Sequence, residues 1–230
     1  MYTSQETSKA PVVAPATTLW DNIAGRCLRE QALRTHDPLF LEGDDAEFLY
    51  GVVEGILCNY RILSDGRRQV ISFSYPGDLI GLGHSAAYHF SCEAVCGARV
   101  RSIRKNAILY DAEGHVGIER RLLEFADVEL ASMQEHQLLL GRKTALERVA
   151  SFLLMLARRS VGDHAQGSHF RIPMTRTDIA DYLGLTIETV SRNMSKLRFK
   201  GVIDLPQATT ILVLDIQLLE TLAEAEEGAF

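Results

Sequence analysis

No run of roughly 18 consecutive apolar residues occurs in the 230-residue chain, so a membrane-spanning helix is not expected. Cysteine is scarce. Cys27, Cys58, Cys92 and Cys96 are too few to staple a chain of this size, which points to a reducing, cytoplasmic setting. Residues 1–18 are rich in Ser, Thr, Ala and Pro but lack the basic start and apolar core of a secretion signal; a flexible tail is expected there. An overall positive charge is missing too. The formal net charge of −6 and a pI near 5.7 argue against a protein that coats polyanions indiscriminately. What the chain does have is 47% hydrophobic content, enough to bury two cores.

Its positive charge is concentrated in one place. Between 171 and 201 lie six cations (Arg171, Arg176, Arg192, Lys196, Arg198, Lys200) and three acids (Asp178, Asp181, Glu188), and no Lys or Arg follows from Val202 onward. Within that stretch, Thr175-Arg176-Thr177-Asp178-Ile179-Ala180-Asp181-Tyr182-Leu183-Gly184 precedes Glu188-Thr189-Val190-Ser191-Arg192. The pattern predicts two short amphipathic helices joined at Gly184. Thr175 suits an N-cap, with Asp178 at capping-box spacing, and Thr186 can cap the second helix. Ile179, Ala180 and Leu183, then Val190, Met194 and Leu197, form inward faces.

Spacings of three and four residues place Glu188, Ser191, Arg192 and Ser195 together on the outward face of the second helix. A carboxylate, a hydroxyl and a guanidinium in a row suit the base edges of a DNA major groove, where Arg grips guanine and a carboxylate accepts from cytosine. Glu188, Ser191 and Arg192 are therefore the candidate base readers. Thr175, Arg176, Thr177, Thr189, Lys196, Arg198 and Lys200 are candidates for phosphate contact, which positions without specifying. The plainer alternative is a surface helix carrying an i, i+4 Glu188–Arg192 ion pair, worth about 0.3–0.5 kcal/mol.

The rest of the chain supplies a setting. Residues 19–114 read as short strands cut by glycines, with Ser64-Asp65-Gly66-Arg67 and Pro76-Gly77-Asp78 as turns, which indicates an antiparallel barrel or jelly roll. Over 115–143 the pattern turns helical. Leu123, Ala126, Leu130, Met133, Gln137 and Leu140 follow a heptad seam suited to pairing with a second copy. Residues 144–230 add a further amphipathic helix, a polar loop at 160–169, the helix pair, a hairpin at 201–214 and a last helix capped by Asp215 through about Glu227. The expected fold class is α+β: an antiparallel β jelly roll, a long dimerisation helix and a winged helix-turn-helix.

On these residues the chain resembles CRP/FNR-type transcription regulators from end to end, the tail excepted. The barrel glycines, Pro76-Gly77-Asp78-Leu79-Ile80-Gly81, the long helix and the 175–192 motif carry the resemblance, and Glu188-Thr189-Val190-Ser191-Arg192 is similar to the FNR and FixK branches. The resemblance implies that the jelly roll is cyclic-nucleotide-binding-like, and it implies a homodimeric, cytoplasmic, FixK-like activator that is not an enzyme and binds a TTGAT-N4-ATCAA-like palindrome. In it Arg192 would meet the guanine, Glu188 the opposite cytosine and neighbouring adenine, and Ser191 a thymine. RNA polymerase is the implied second partner, through surface loops at 64–69 and 162–169.

The resemblance also implies what controls such a protein. Cyclic-AMP-binding relatives carry a Glu after the glycine matched by Gly81 and an Arg-Ser pair further on, where this chain has Leu82 and Tyr88-His89. Burying a phosphodiester without its Arg would cost several kcal/mol. The cysteines of the iron–sulfur branch are missing before Cys27, and Arg101 occupies the barrel position. Cys92 and Cys96, if on one strand, would stand about 13 Å apart, too far for a disulfide. His84 lies near a haem-ligand position of a CO-sensing relative, but that branch's cysteine is Leu82 here; His84, His89 and His115 make no metal spacing. No cofactor and no metal are expected. The alternative is a regulator of the same fold gated by haem, NO, CO or another small molecule in the barrel.

Overall fold

A computed structural model describes residues 29–83, 85–109, 118–161 and 166–224. The expected tail at 1–18, Cys27, His84 and His115 lie outside the described residues. Eight strands build the first half: β1 (Arg29–Leu33), β2 (Pro38–Phe40), β3 (Phe48–Glu54), β4 (Leu57–Ile62), β5 (Arg68–Ser74), β6 (Leu79–Ile80), β7 (Ser91–Ala94) and β8 (Ala98–Arg104). They form two four-stranded sheets ordered β1-β8-β3-β6 and β2-β7-β4-β5, with antiparallel pairing throughout. This is the expected jelly roll. Asp65-Gly66 turns β4 into β5, with Gly66 at φ 84° and the Leu63 N–H donating to the Arg67 carbonyl at 2.8 Å. Gly55 (φ 80°) lies against the Gly97 carbonyl, leaving no room for a Cβ.

Aromatic rings fill one end of the roll. Phe40 stacks on Tyr88 with ring centroids 3.7 Å apart and on Tyr50 at 5.8 Å. The buried Tyr88 hydroxyl donates to the Phe48 carbonyl at 2.7 Å and accepts from the Phe48 N–H at 3.3 Å. β7 ends at Ala94, so Cys96 lies beyond it and does not share a strand with Cys92. Cys58 and Cys92 are buried and free; desolvation pushes the Cys58 thiol up to about 12.

After the short α1 (Lys105–Leu109), the helix α2 (Ile118–Arg142) runs 25 residues, about 37 Å at 1.5 Å per residue. Phe125 anchors it beside Leu49, Leu79 and Ile103 of the roll, and Leu139 anchors its other end in the C-terminal core. Among the described residues, no helix is long and apolar enough to cross a membrane. α3 (Ala145–Val161) begins at a reciprocal cap in which the Thr144 N–H donates to Glu147 at 2.9 Å. There follow β9 (His169–Arg171), α4 (Arg176–Leu183), α5 (Ile187–Phe199), β10 (Ile203–Gln207), β11 (Thr210–Val213) and α6 (Ile216–Glu224).

The wing is a three-stranded sheet, β10-β11-β9, rather than a two-stranded hairpin. β9 falls at the end of the stretch expected to be a polar loop. It has three residues and only Phe170 is buried, too short a run to show alternation. Asp215 caps α6 through a 2.9 Å bond from the Leu218 N–H, and the expected continuation to 227 lies outside the described residues. One large core joins the two halves: Cys58, Val70, Phe73 and Val95 of the roll pack with Phe152, Leu153, Ile179 and Tyr182.

Candidate nucleic-acid interface

Two caps and a glycine set up the helix pair. Thr175 accepts from the Asp178 N–H at 3.1 Å while Asp178 accepts from the Thr175 N–H at 2.9 Å, so two of the amides that the start of α4 would leave unpaired are satisfied. α4 ends on Gly184 at φ 61°, ψ 41°, whose N–H returns to the Ala180 carbonyl. Two residues later Thr186 caps α5 through the Thr189 N–H at 3.2 Å. Val190, Met194 and Leu197 are buried, as their spacing predicts.

That burial fixes what α5 shows to solvent. Glu188, Ser191, Arg192 and Ser195 are exposed, and so are Lys196, Arg198 and Lys200. At about 100° per residue, Glu188, Arg192 and Ser195 fall within an arc of about 60°. Phe199 falls on the same stripe and is 94% exposed. It is not among the residues expected there from sequence, although its spacing of four from Ser195 and seven from Arg192 is a sufficient signal.

Glu188 and Arg192 form no salt bridge among the described residues. The Glu188 carboxylate is held below its usual range first by its own backbone N–H and next by the Thr186 hydroxyl, with the Arg192 charge contributing least. The ordinary surface ion pair is therefore not made, and the guanidinium remains available. Arg192, Lys196, Arg198 and Lys200 all lack a salt-bridge partner among the described residues. Arg176, half-buried at the start of α4, lacks one too. Of the threonines, Thr175 donates its hydroxyl to Asp178 at 2.7 Å and Thr189 shares a hydrogen bond with Thr186 at 3.1 Å. Thr177 is exposed.

The seam residues are arranged differently along α2. Leu123, Ala126, Leu130, Met133 and Gln137 are exposed, with Leu130 at 55%, but Leu140 is half-buried against the chain's own C-terminal core. Leu138, outside the heptad seam, adds a further exposed apolar group. In the turn at 64–69, residues 64–67 are exposed while Arg68 and Gln69 turn inward toward α4. Of the loop at 162–169, residues 162–165 lie outside the described residues. Among the described residues, no group of three or more His, Cys, Asp or Glu could hold a metal ion.

This geometry can be set beside known proteins. Residues 147–222 match the family model of the Crp-like helix-turn-helix domain, and residues 30–110 that of the cyclic nucleotide-binding domain. The chain is 43% identical over 183 residues to the nitrogen fixation regulation protein FixK of Azorhizobium caulinodans, covering 78% of this chain and 74% of that protein. It is 37% identical over 193 residues to the transcriptional activator protein FnrL of Cereibacter sphaeroides, covering 81% and 77%. Among solved structures, FixK2 from Bradyrhizobium japonicum is similar with a TM-score of 0.81 at 38% identity, covering 87% of this chain and 99% of that one.

Proposed function

The chain belongs to the CRP/FNR family of transcription regulators, in its FixK-like branch, and we propose that it acts as a cytoplasmic homodimer reading a TTGAT-N4-ATCAA-like palindrome. Its helix-turn-helix makes it a DNA-binding regulator of the FixK/FnrL type. The observation that carries the finer reading is the stripe on α5. Glu188, Ser191 and Arg192 stand exposed on one face, and the carboxylate and the guanidinium form no salt bridge among the described residues. Arg192 reads the guanine, Glu188 the opposite cytosine and neighbouring adenine, and Ser191 a thymine. Lys196, Arg198, Lys200, Arg176 and Thr177 hold phosphates beside them, with Thr175 and Thr189 at the two caps. Phe199 adds an apolar end to the stripe.

Exposed Leu123, Leu130 and Met133 on α2 support pairing with a second copy, since a single chain leaves that apolar row in water. The exposed turn at 64–67 is offered to RNA polymerase. Control by a ligand in the roll is the weaker reading. Tyr88, at the position corresponding to the phosphate-holding pair of cyclic-nucleotide binders, is buried with its ring stacked on Phe40. Its hydroxyl is spent on the Phe48 backbone.

Binding to the palindromic duplex, compared with one whose guanines are replaced, tests the base-reading assignment. The wild-type chain is expected to prefer the first. Arg192→Ala should lose about 1–3 kcal/mol per half-site together with that preference. A variant that kept the preference would mean that Arg192 does not read the guanine.

A further inference from the structure

We propose that Arg68 of the roll is a positioning residue for DNA recognition, gripping the helix-turn-helix so that the two reading heads of the dimer keep a fixed separation. This rests on the DNA-reading assignment of α5. The guanidinium uses both arms of its planar fork. Nη2 donates to Glu93 of β7 at 2.7 Å, within the roll, and Nη1 donates to Asp178 of α4 at 2.7 Å, in the other half of the molecule. Asp181 lies 3.4 Å from Nη1, the Cys58 sulfur 3.3 Å from Nη2, and the Tyr60 ring 4.5 Å beneath the guanidinium carbon. Gln69 adds a second tie, donating to the Asp181 carbonyl at 2.6 Å.

The grip falls on a sensitive point of α4. Asp178 gives Oδ1 to Arg68 and Oδ2 to the Thr175 N–H and hydroxyl at 2.9 and 2.7 Å, so one carboxylate joins the roll to the cap of α4. Burial alone would raise the Asp178 carboxyl, but hydrogen bonds from Thr175 and then Arg68 hold it below its usual range. Asp181 lies further from the guanidinium, and burial there wins, raising its carboxyl. The latched arrangement leaves Glu188, Ser191, Arg192 and the cations after them exposed, so it is open to DNA rather than shut against it.

Arg68 is not what keeps the halves together. Phe73 packs against Phe152 and Tyr182 with centroids 6.2 and 5.3 Å apart, and these apolar contacts survive its removal. Apolar packing is tolerant of sliding, whereas a two-armed charged grip is directional. Losing Arg68 should therefore free the orientation of the reading head more than it weakens the fold.

The test compares duplexes whose half-sites are separated by four or by five base pairs, using the full chain as wild type, Arg68→Ala and Arg68→Lys. Wild type is expected to prefer the four-base-pair spacer strongly, because a rigid dimer fixes half-site separation. Arg68→Ala should bind that duplex on the order of tenfold more weakly, within the usual range of coupling between sites, and its preference between spacers should flatten. Simple loss of folded protein would lower both affinities equally and leave their ratio unchanged. Arg68→Lys keeps a cation among the three carboxylates but cannot span Glu93 and Asp178, so it flattens the ratio too and decides the matter should Arg68→Ala not fold. A folded variant that keeps the wild-type spacer ratio, or binds more tightly, overturns the proposal. A wild type with no preference for the palindrome at all overturns the reading of α5 along with it.

Discussion

The roll and the reading helix handle most of their cations in opposite ways. In the roll, Arg61, Arg67, Arg68, Arg99, Arg101 and Arg104 each stand within 2.6–3.9 Å of a carboxylate, respectively Glu42, Asp65, Glu93, Glu54, Glu30 and Glu47. On and just after the reading helix, Arg192, Lys196, Arg198 and Lys200 have no such neighbour among the described residues. An acidic protein has carboxylates to spare, so leaving four cations unneutralised on one surface is a property of that surface. Charge balanced within the fold serves the fold, whereas charge left open serves an anionic partner. The roll's interior completes the contrast, since Phe40, Tyr50 and Tyr88 occupy it with rings.

The strongest way to break that contrast is to empty the roll. Tyr88→Ala removes a buried ring stacked at 3.7 Å on Phe40 and strands the Phe48 backbone groups it serves. A loss of about 3–5 kcal/mol is expected, as for other buried aromatics cut to Ala. Chemical unfolding would measure it. DNA preference of the folded fraction should be unchanged, because Tyr88 touches nothing on α5; a changed base preference would show the halves to be less separate than their charges suggest.

A subtler test uses salt. Lys196→Ala and Lys200→Ala should each reduce the steepness of log affinity against log salt by about one for each phosphate that is no longer neutralised, with little effect on which bases are preferred. Arg99→Ala and Arg101→Ala are the controls. These two are already paired with Glu54 and Glu30, and their removal should leave the slope where it was. Equal slope changes in both sets would erase the distinction between open and balanced charge.

Local structure was far more legible in the sequence than the contacts between distant segments. Caps, a positive-φ glycine and three-four spacing are local rules, so Thr175, Asp178, Gly184 and Thr186 declared the helix pair from a window of a dozen residues. The roll's strands and turns were legible for the same reason. What stayed hidden depends on distant chain segments meeting. Arg68 and Asp178 are 110 positions apart, and nothing near either says that they touch. Leu140 fits the heptad seam, but half of it is spent on its own C-terminal core, which periodicity cannot show. Tyr88 was visible as a departure from a ligand-binding pattern. That its ring would pack against Phe40 and Tyr50 was not.

The smallest expected effect lies at the junction of the two regions, where His136 of α2 stacks on Tyr182 of α4 with centroids 4.1 Å apart and a tilt of 9°. Its Nε2–H donates to the Tyr182 carbonyl at 2.9 Å. Burial pulls the imidazole below its ordinary 6.5, and the bond to the carbonyl only partly opposes this. In the window between that depressed value and 6.5, the unfolded chain binds the proton more readily than the folded one. The stability is therefore fully present above 6.5 and falls as pH drops through the window. Unfolding midpoints across that range should decline less steeply for His136→Gln than for wild type, the other six histidines being common to both. Identical pH profiles would mean that His136 takes up its proton as easily in the fold as outside it. A junction so tolerant of charge would hold the reading head through the Arg68 grip, the Gln69 bond, the Arg159–Asp78 pair and the apolar contacts.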